Sequence, residues 1–259
     1  MRRVVVGIYP PRATALSLIL TPLVALSVSY PMLLTKWYLP AEAVEDTLGT
    51  LLLGCFGGFA AKGELSLTAL SQYLMILLPP IVLAGYGYAR QTMRWQWMTA
   101  SRFDTYAAWW RQQLAEVWLG AAGYRLVQVG LVFGFSLWEH RLALEPLRWT
   151  DFGWLLTILI LHTALWMHLQ LLMQLIFDDA RIGFGVPLLF LVISLILSNL
   201  SGFSIPFNFL PGLWGMTQCS WLIGAQGFTP WVLGIEALVI LSVSLVGWRY
   251  LKSIGLRAR

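Results

Sequence analysis

The chain has 259 residues, of which 58% are apolar and only 11% charged, and its mean hydropathy is +0.72. Soluble domains carry about 25% charged residues, so the composition excludes an ordinary soluble fold and predicts an all-α integral membrane protein. Seventeen Lys plus Arg against twelve Asp plus Glu leave a net charge of +5; in such a chain this excess reports membrane sidedness, and no nucleic-acid partner is expected.

A hydrocarbon core about 30 Å thick needs roughly 20 helical residues. The first run of that length is Ala13–Leu34. It exceeds the roughly 7–15 residues of a signal-peptide core, so it is expected to be a retained span. Leu48–Ala61 is apolar but short and broken by Gly49, Gly54, Gly57 and Gly58, which suits an interfacial or re-entrant piece. Further spans are predicted at Leu67–Tyr88, Leu114–Ser136, Phe152–Ile176, Ile182–Leu200 and Trp231–Tyr250. Pro187 in the fifth is tolerable because neighbouring helices can satisfy a freed carbonyl.

Six spans with both ends inside put Arg2, Arg3, Arg12, Arg90, Arg94, Arg102, Arg111, Arg181, Arg249, Lys252, Arg257 and Arg259 on the cytoplasmic side. Only Lys36, Lys62, Arg141 and Arg148 fall outside. Twelve against four satisfies the positive-inside rule. Counting Leu48–Ala61 as a seventh span would carry the cluster from Arg90 to Arg111 outward, so that layout is rejected. Fourteen Trp and nine Tyr fit two aromatic belts at the headgroup level. The whole chain reads as one membrane domain.

Several chemistries lack their signature. There is no Gly-x-x-x-x-Gly-Lys-Ser/Thr loop for nucleotide phosphates, no Gly-x-Ser-x-Gly elbow and no His-Glu-x-x-His pair. No catalytic, cofactor or metal residue is therefore assigned. His162 and His168 are six residues apart, about 600° around a helix, and so face different directions; His162 and Trp166 form an i, i+4 pair. An interhelical hydrogen bond or an interfacial position is the expected use of each histidine.

Between the second and third spans, Ser101 and Asp104 stand at capping-box spacing, and a helix is predicted to begin there. Phe103, Tyr106, Ala107, Trp110 and Leu114 share one face, and Asp104, Ala108 and Arg111 point away. Such a helix either lies among lipid headgroups or docks a partner, with Arg102, Asp104 and Arg111 as polar contacts and Trp109 and Trp110 as anchors. Within the bilayer, Arg125 and Glu236 are costly charges that need a partner or a wet cavity. Their depths, about 16 and 21 Å from the inner ends of their spans, suggest an ion pair with Gln128 as a further hydrogen-bond partner, a site in the substrate path being the alternative. Gly130 and Gly134 form a Gly-x-x-x-Gly for close packing, within the subunit or between subunits. Cys55 and Cys219 both fall on the predicted outer side, either bonded or reduced in apolar surroundings.

The plan of the chain resembles the membrane subunits of type-2 ABC transporters. Its matching pieces are Arg102-Phe103-Asp104-Thr105-Tyr106-Ala107-Ala108-Trp109-Trp110-Arg111, Phe177-Asp178-Asp179-Ala180-Arg181, and Ile205-Pro206-Phe207-Asn208-Phe209-Leu210-Pro211-Gly212. Met1–Arg12, interrupted by Pro10-Pro11, departs from the amphipathic helix with which family members usually begin. The resemblance implies a main coupling helix at Arg102–Arg111 and a second contact at Asp178, Asp179 and Arg181. It also implies a second permease copy and two separate ATPase subunits that hold ATP and Mg. The layout is similar to single-domain permeases of peptide or bacteriocin export and self-protection, in the bacterial cytoplasmic membrane. An amphipathic peptide or lipid-like cargo is expected, because the spans offer few ionisable groups. The alternatives are a membrane-embedded enzyme using His162, His168 or Glu236, and a scaffold for another complex.

Overall fold

A computed structural model of the chain describes residues 77–82, 105–138, 149–177, 179–200 and 231–257. They form five helices: residues 77–82 (α1), Tyr106–Trp138 (α2), Trp149–Phe177 (α3), Ala180–Leu200 (α4) and Trp231–Arg257 (α5). Two segments, Gly153–Phe177 of α3 and Trp231–Ser253 of α5, are long and apolar enough to cross a membrane. α2 and α4 cover the predicted third and fifth spans. The expected span Ala13–Leu34, the stretch Leu48–Ala61, most of Leu67–Tyr88, the outer segment 201–230, Cys55, Cys219, Arg102, Asp104 and Asp178 lie outside the described residues.

The expected cytoplasmic helix and the third span are one continuous element. α2 has 33 residues, about 50 Å at 1.5 Å per residue, well beyond the hydrocarbon thickness. Its start differs from the one expected at Ser101 and Asp104. Thr105 caps it: the Thr105 hydroxyl accepts from the Ala108 amide at 3.2 Å, and the Thr105 carbonyl accepts from Ala108 at 3.1 Å and Trp109 at 3.3 Å. A hydroxyl three residues before Ala108 satisfies a first-turn donor that would otherwise be unmet.

α3 carries apolar residues on every side with only a few polar ones among them, the pattern of a helix enclosed on all sides. It packs against α2, α4 and α5, and α2 also meets α5. Most of its apolar segment is buried, whereas most of the corresponding segment of α5 is exposed. Leu165, Trp166 and Leu171 of α3 meet Val117 and Ala121 of α2, Leu191 of α4, and Val232, Ile240 and Leu251 of α5 in one core. Leu77 and Ile81, one turn apart on α1, join it.

Two glycines allow the closest approaches. A Cβ at Gly183 of α4 would collide with the Gln174 side chain, and one at Gly247 of α5 would collide with the Trp110 ring. The turn from α3 to α4 is closed by Asp179, whose carboxylate accepts from the Arg181 amide at 2.7 Å and whose carbonyl accepts from Gly183 at 3.0 Å. Pro187 sits inside α4 without ending it. Gly130 and Gly134, for which packing within the subunit was one expectation, have open space where a Cβ would stand. Among the described residues nothing uses them for close contact.

Candidate functional site

The described structure offers two candidate regions, a buried polar cluster between α2, α3 and α5, and a polar surface at one end of the bundle. The cluster starts from His162 and Trp166, which share a face of α3 because they are four residues apart. The Trp166 indole N–H donates to His162 Nε2 at 2.9 Å, with the two rings edge to face. An indole nitrogen only donates, so Nε2 is the unprotonated nitrogen and the imidazole is neutral. Its proton then lies on Nδ1, which donates to Glu236 Oε1 at 2.9 Å. Both ring nitrogens are engaged, and the side chains of His162 and Glu236 are at most 1% exposed.

The next residue of α3 receives the other charge. Arg125 Nε donates to the Thr163 hydroxyl at 2.7 Å, and that hydroxyl donates in turn to the Leu159 carbonyl at 2.7 Å. Arg125 Nη1 donates to Gln128 Oε1 at 2.6 Å, the partner expected from one-turn spacing. The Arg125 guanidinium also lies 5.5 Å from the centre of the Tyr124 ring. Glu236 therefore takes its hydrogen bond from His162 rather than from Arg125, a correction to the expected direct pair. The two charges converge instead on consecutive residues of α3, which point about 100° apart and reach α5 and α2 respectively.

His168 is separate from this cluster, as the 600° count anticipated. Its Nδ1–H donates to the Ala164 carbonyl at 2.7 Å, and its ring meets Trp118 edge to face at 5.6 Å. Among the described residues no cluster of His, Cys, Asp or Glu is placed to hold a metal ion. The sequence reading passed over Gln170 and Gln174. Their signal was present: His162, Trp166, Gln170 and Gln174 recur every fourth residue of an otherwise apolar helix.

At the end where α2 begins, three elements meet. The Trp110 indole N–H donates to the Ser244 carbonyl of α5 at 2.9 Å, and the Tyr250 hydroxyl donates to the Ile176 carbonyl of α3 at 3.2 Å. These bonds bring the start of α2, the turn from α3 to α4 and the last part of α5 to one end of the bundle. Trp109 and Trp110, expected as anchors for a partner, are 4% and 2% exposed. Their rings are committed to the chain's own packing, because the space at Gly247 admits the Trp110 ring. Arg111 and Arg181 are exposed. Arg111 Nε donates to the Ala107 carbonyl at 3.3 Å, and Asp179 caps α4.

Compared with protein-family models, with curated proteins and with solved structures, the chain matches none.

Proposed function

We propose that this chain is the membrane-spanning permease subunit of an ABC transporter of the bacterial cytoplasmic membrane. It has six spans and both ends inside, works as a pair with a second permease copy, and is driven by two separate ATPase subunits that bind ATP and Mg. The cargo is an amphipathic peptide or lipid-like molecule, moved by conformational coupling with no covalent step in this chain. The observation that carries the reading is the convergence at one end of the bundle of exposed Arg111 on α2 and the Asp179–Arg181 turn before α4. Two segments far apart in sequence thus offer one polar surface to a soluble partner.

The helices support transmission from that surface. α2 runs without a break from Tyr106 to Trp138, and the Trp110 ring is lodged at Gly247 of α5, so a push on the start of α2 displaces α5 as well. Exposed Leu189, Phe190 and Ile196 of α4, and Leu238, Leu241 and Leu245 of α5, form faces suited to lipid. An intramembrane enzyme has less support, because both nitrogens of His162 are occupied and that imidazole is closed to a substrate.

The test is reconstitution of the chain in vesicles with a candidate ABC ATPase subunit. The variant Arg111→Ala with Arg181→Ala removes two exposed cations and no core contact, and should abolish ATPase stimulation while membrane insertion persists. Unchanged recruitment and stimulation would return this surface to a lipid-headgroup role.

A further inference from the structure

The row His162, Trp166, Gln170 and Gln174 runs for about 18 Å along α3 and ends beside the turn into α4. Each of the four is at most 2% exposed. His162 and Trp166 satisfy one another, but among the described residues both amide atoms of Gln170 and of Gln174 lack a hydrogen-bond partner, as does Glu236 Oε2. A glutamine amide is a donor at one atom and an acceptor at the other. Buried polar groups are satisfied by protein or by ordered water, and leucine would fill these positions on an apolar helix with no such demand. The amide groups of Gln170 and Gln174 therefore call for partners that this packing does not supply.

We infer that Glu236 is a reversible proton-binding site, reached through water held by Gln170 and Gln174 from the end of the bundle where α3 turns into α4. The amides orient water and do not themselves ionise. A hydronium ion at that end gives up its proton, leaving water, and an O–H bond forms at Glu236 Oε2; on release the same bond breaks and the proton returns to water. Oε2 is the receiving atom because Oε1 already accepts from His162 Nδ1 and His162 Nε2 is held by the Trp166 N–H.

Among the described residues the charged and titratable surroundings are few. α3 contributes His162 and, farther along, His168, and α2 contributes Arg125 with Tyr124 beside the adjoining Thr163, with Arg111 and Glu116 nearer its start. α1 has none, α4 has only Arg181 at its exposed start, and Tyr250, Arg249 and Lys252 of α5 lie toward the end of the bundle where the route opens. Proton uptake removes the Glu236 charge and makes the cluster one unit more positive. The site so adds a proton-dependent step where the three helices meet.

The experiment uses the purified full chain in lipid vesicles without any ATPase, so its failure is distinct from failure of the permease reading. Infrared difference spectra are recorded across pH in H2O and D2O. The wild type should show a carboxylic C=O band that grows on acidification and shifts in D2O, and Glu236→Gln should remove it. The variant Gln170→Leu with Gln174→Leu should keep the band but slow its hydrogen–deuterium exchange by about tenfold, the cost of one lost hydrogen bond along the route. The absence of a Glu236-dependent band overturns the proton site. A band whose exchange is unchanged in the leucine variant overturns the route and with it the inference.

Discussion

Trp110 of α2 fills the space that a side chain at Gly247 of α5 would need, and its indole N–H donates to the Ser244 carbonyl one turn away. The nearest atoms to a Cβ there belong to the rigid six-membered part of the indole, which has no flexible end to move aside. Gly247→Ala should therefore cost about 1–3 kcal/mol, the range for overpacking a filled core. The measurement is a melting temperature in detergent against wild type. An unchanged midpoint would mean that α2 and α5 separate without penalty, contrary to the rigid link assumed for coupling.

The same reasoning applies where α4 leaves α3. A Cβ at Gly183 meets the Cγ and Cδ atoms of Gln174, near the base of that side chain. Gly183→Ala should destabilise the wild type but be tolerated after Gln174→Ala, giving a coupling of about 0.5–3 kcal/mol in a double-mutant cycle. Additive effects would place the strain elsewhere.

Thr163 supplies the hydroxyl that Arg125 Nε reaches, while its own proton goes to Leu159. Thr163→Val keeps the shape and deletes the acceptor. Hydrogen bonds to charged groups are worth about 1.5–3 kcal/mol, and a loss of that size is expected in thermal or denaturant unfolding. Arg125→Met combined with Thr163→Val should recover part of the loss, because the charge that needed the hydroxyl is gone. No recovery would mean that Thr163 stabilises the fold independently of Arg125.

How much of this was legible beforehand follows from the length scale of each signal. Hydropathy runs some 20 residues long located α2, α3, α4 and α5, since bilayer thickness imposes that length on any spanning helix. The Arg125–Gln128 contact was legible because one-turn spacing needs no knowledge of tertiary packing. Glu236 was read as the partner of Arg125 from depth alone, and depth leaves out direction around the helix axis; His162 and Thr163 divide the two charges by that angle. Trp109 and Trp110 looked like surface anchors because nothing near them in sequence announces Gly247, 137 residues after Trp110. The start of α2 was misread because Ser101, Asp104 and Thr105 all have capping side chains, and only backbone geometry selects Thr105.

That cap makes its own prediction. Thr105→Ala removes the bond to the Ala108 amide and should cost about 1 kcal/mol, the usual value for an N-cap. The loss should be local: faster amide exchange at Ala107 and Ala108, with later turns of α2 unchanged. Faster exchange along the whole helix would show that the first turn nucleates the rest.

The last prediction concerns the second copy that the proposed permease would pair with. Gly130 and Gly134 sit one turn apart on the outer side of α2, with open space where each Cβ would stand, and Leu126 and Val127 beside them are exposed. A Gly-x-x-x-Gly surface lets two helix backbones approach closely enough for van der Waals contact, the main source of helix association in lipid. Gly130→Leu with Gly134→Leu adds bulk at that surface and, having no neighbour to strike among the described residues, should leave the melting temperature of the single chain unchanged. Cross-linking in vesicles and light scattering in detergent should then report a shift from dimer to monomer. A variant that remains as dimeric as wild type would remove this face from the subunit interface and leave it to lipid.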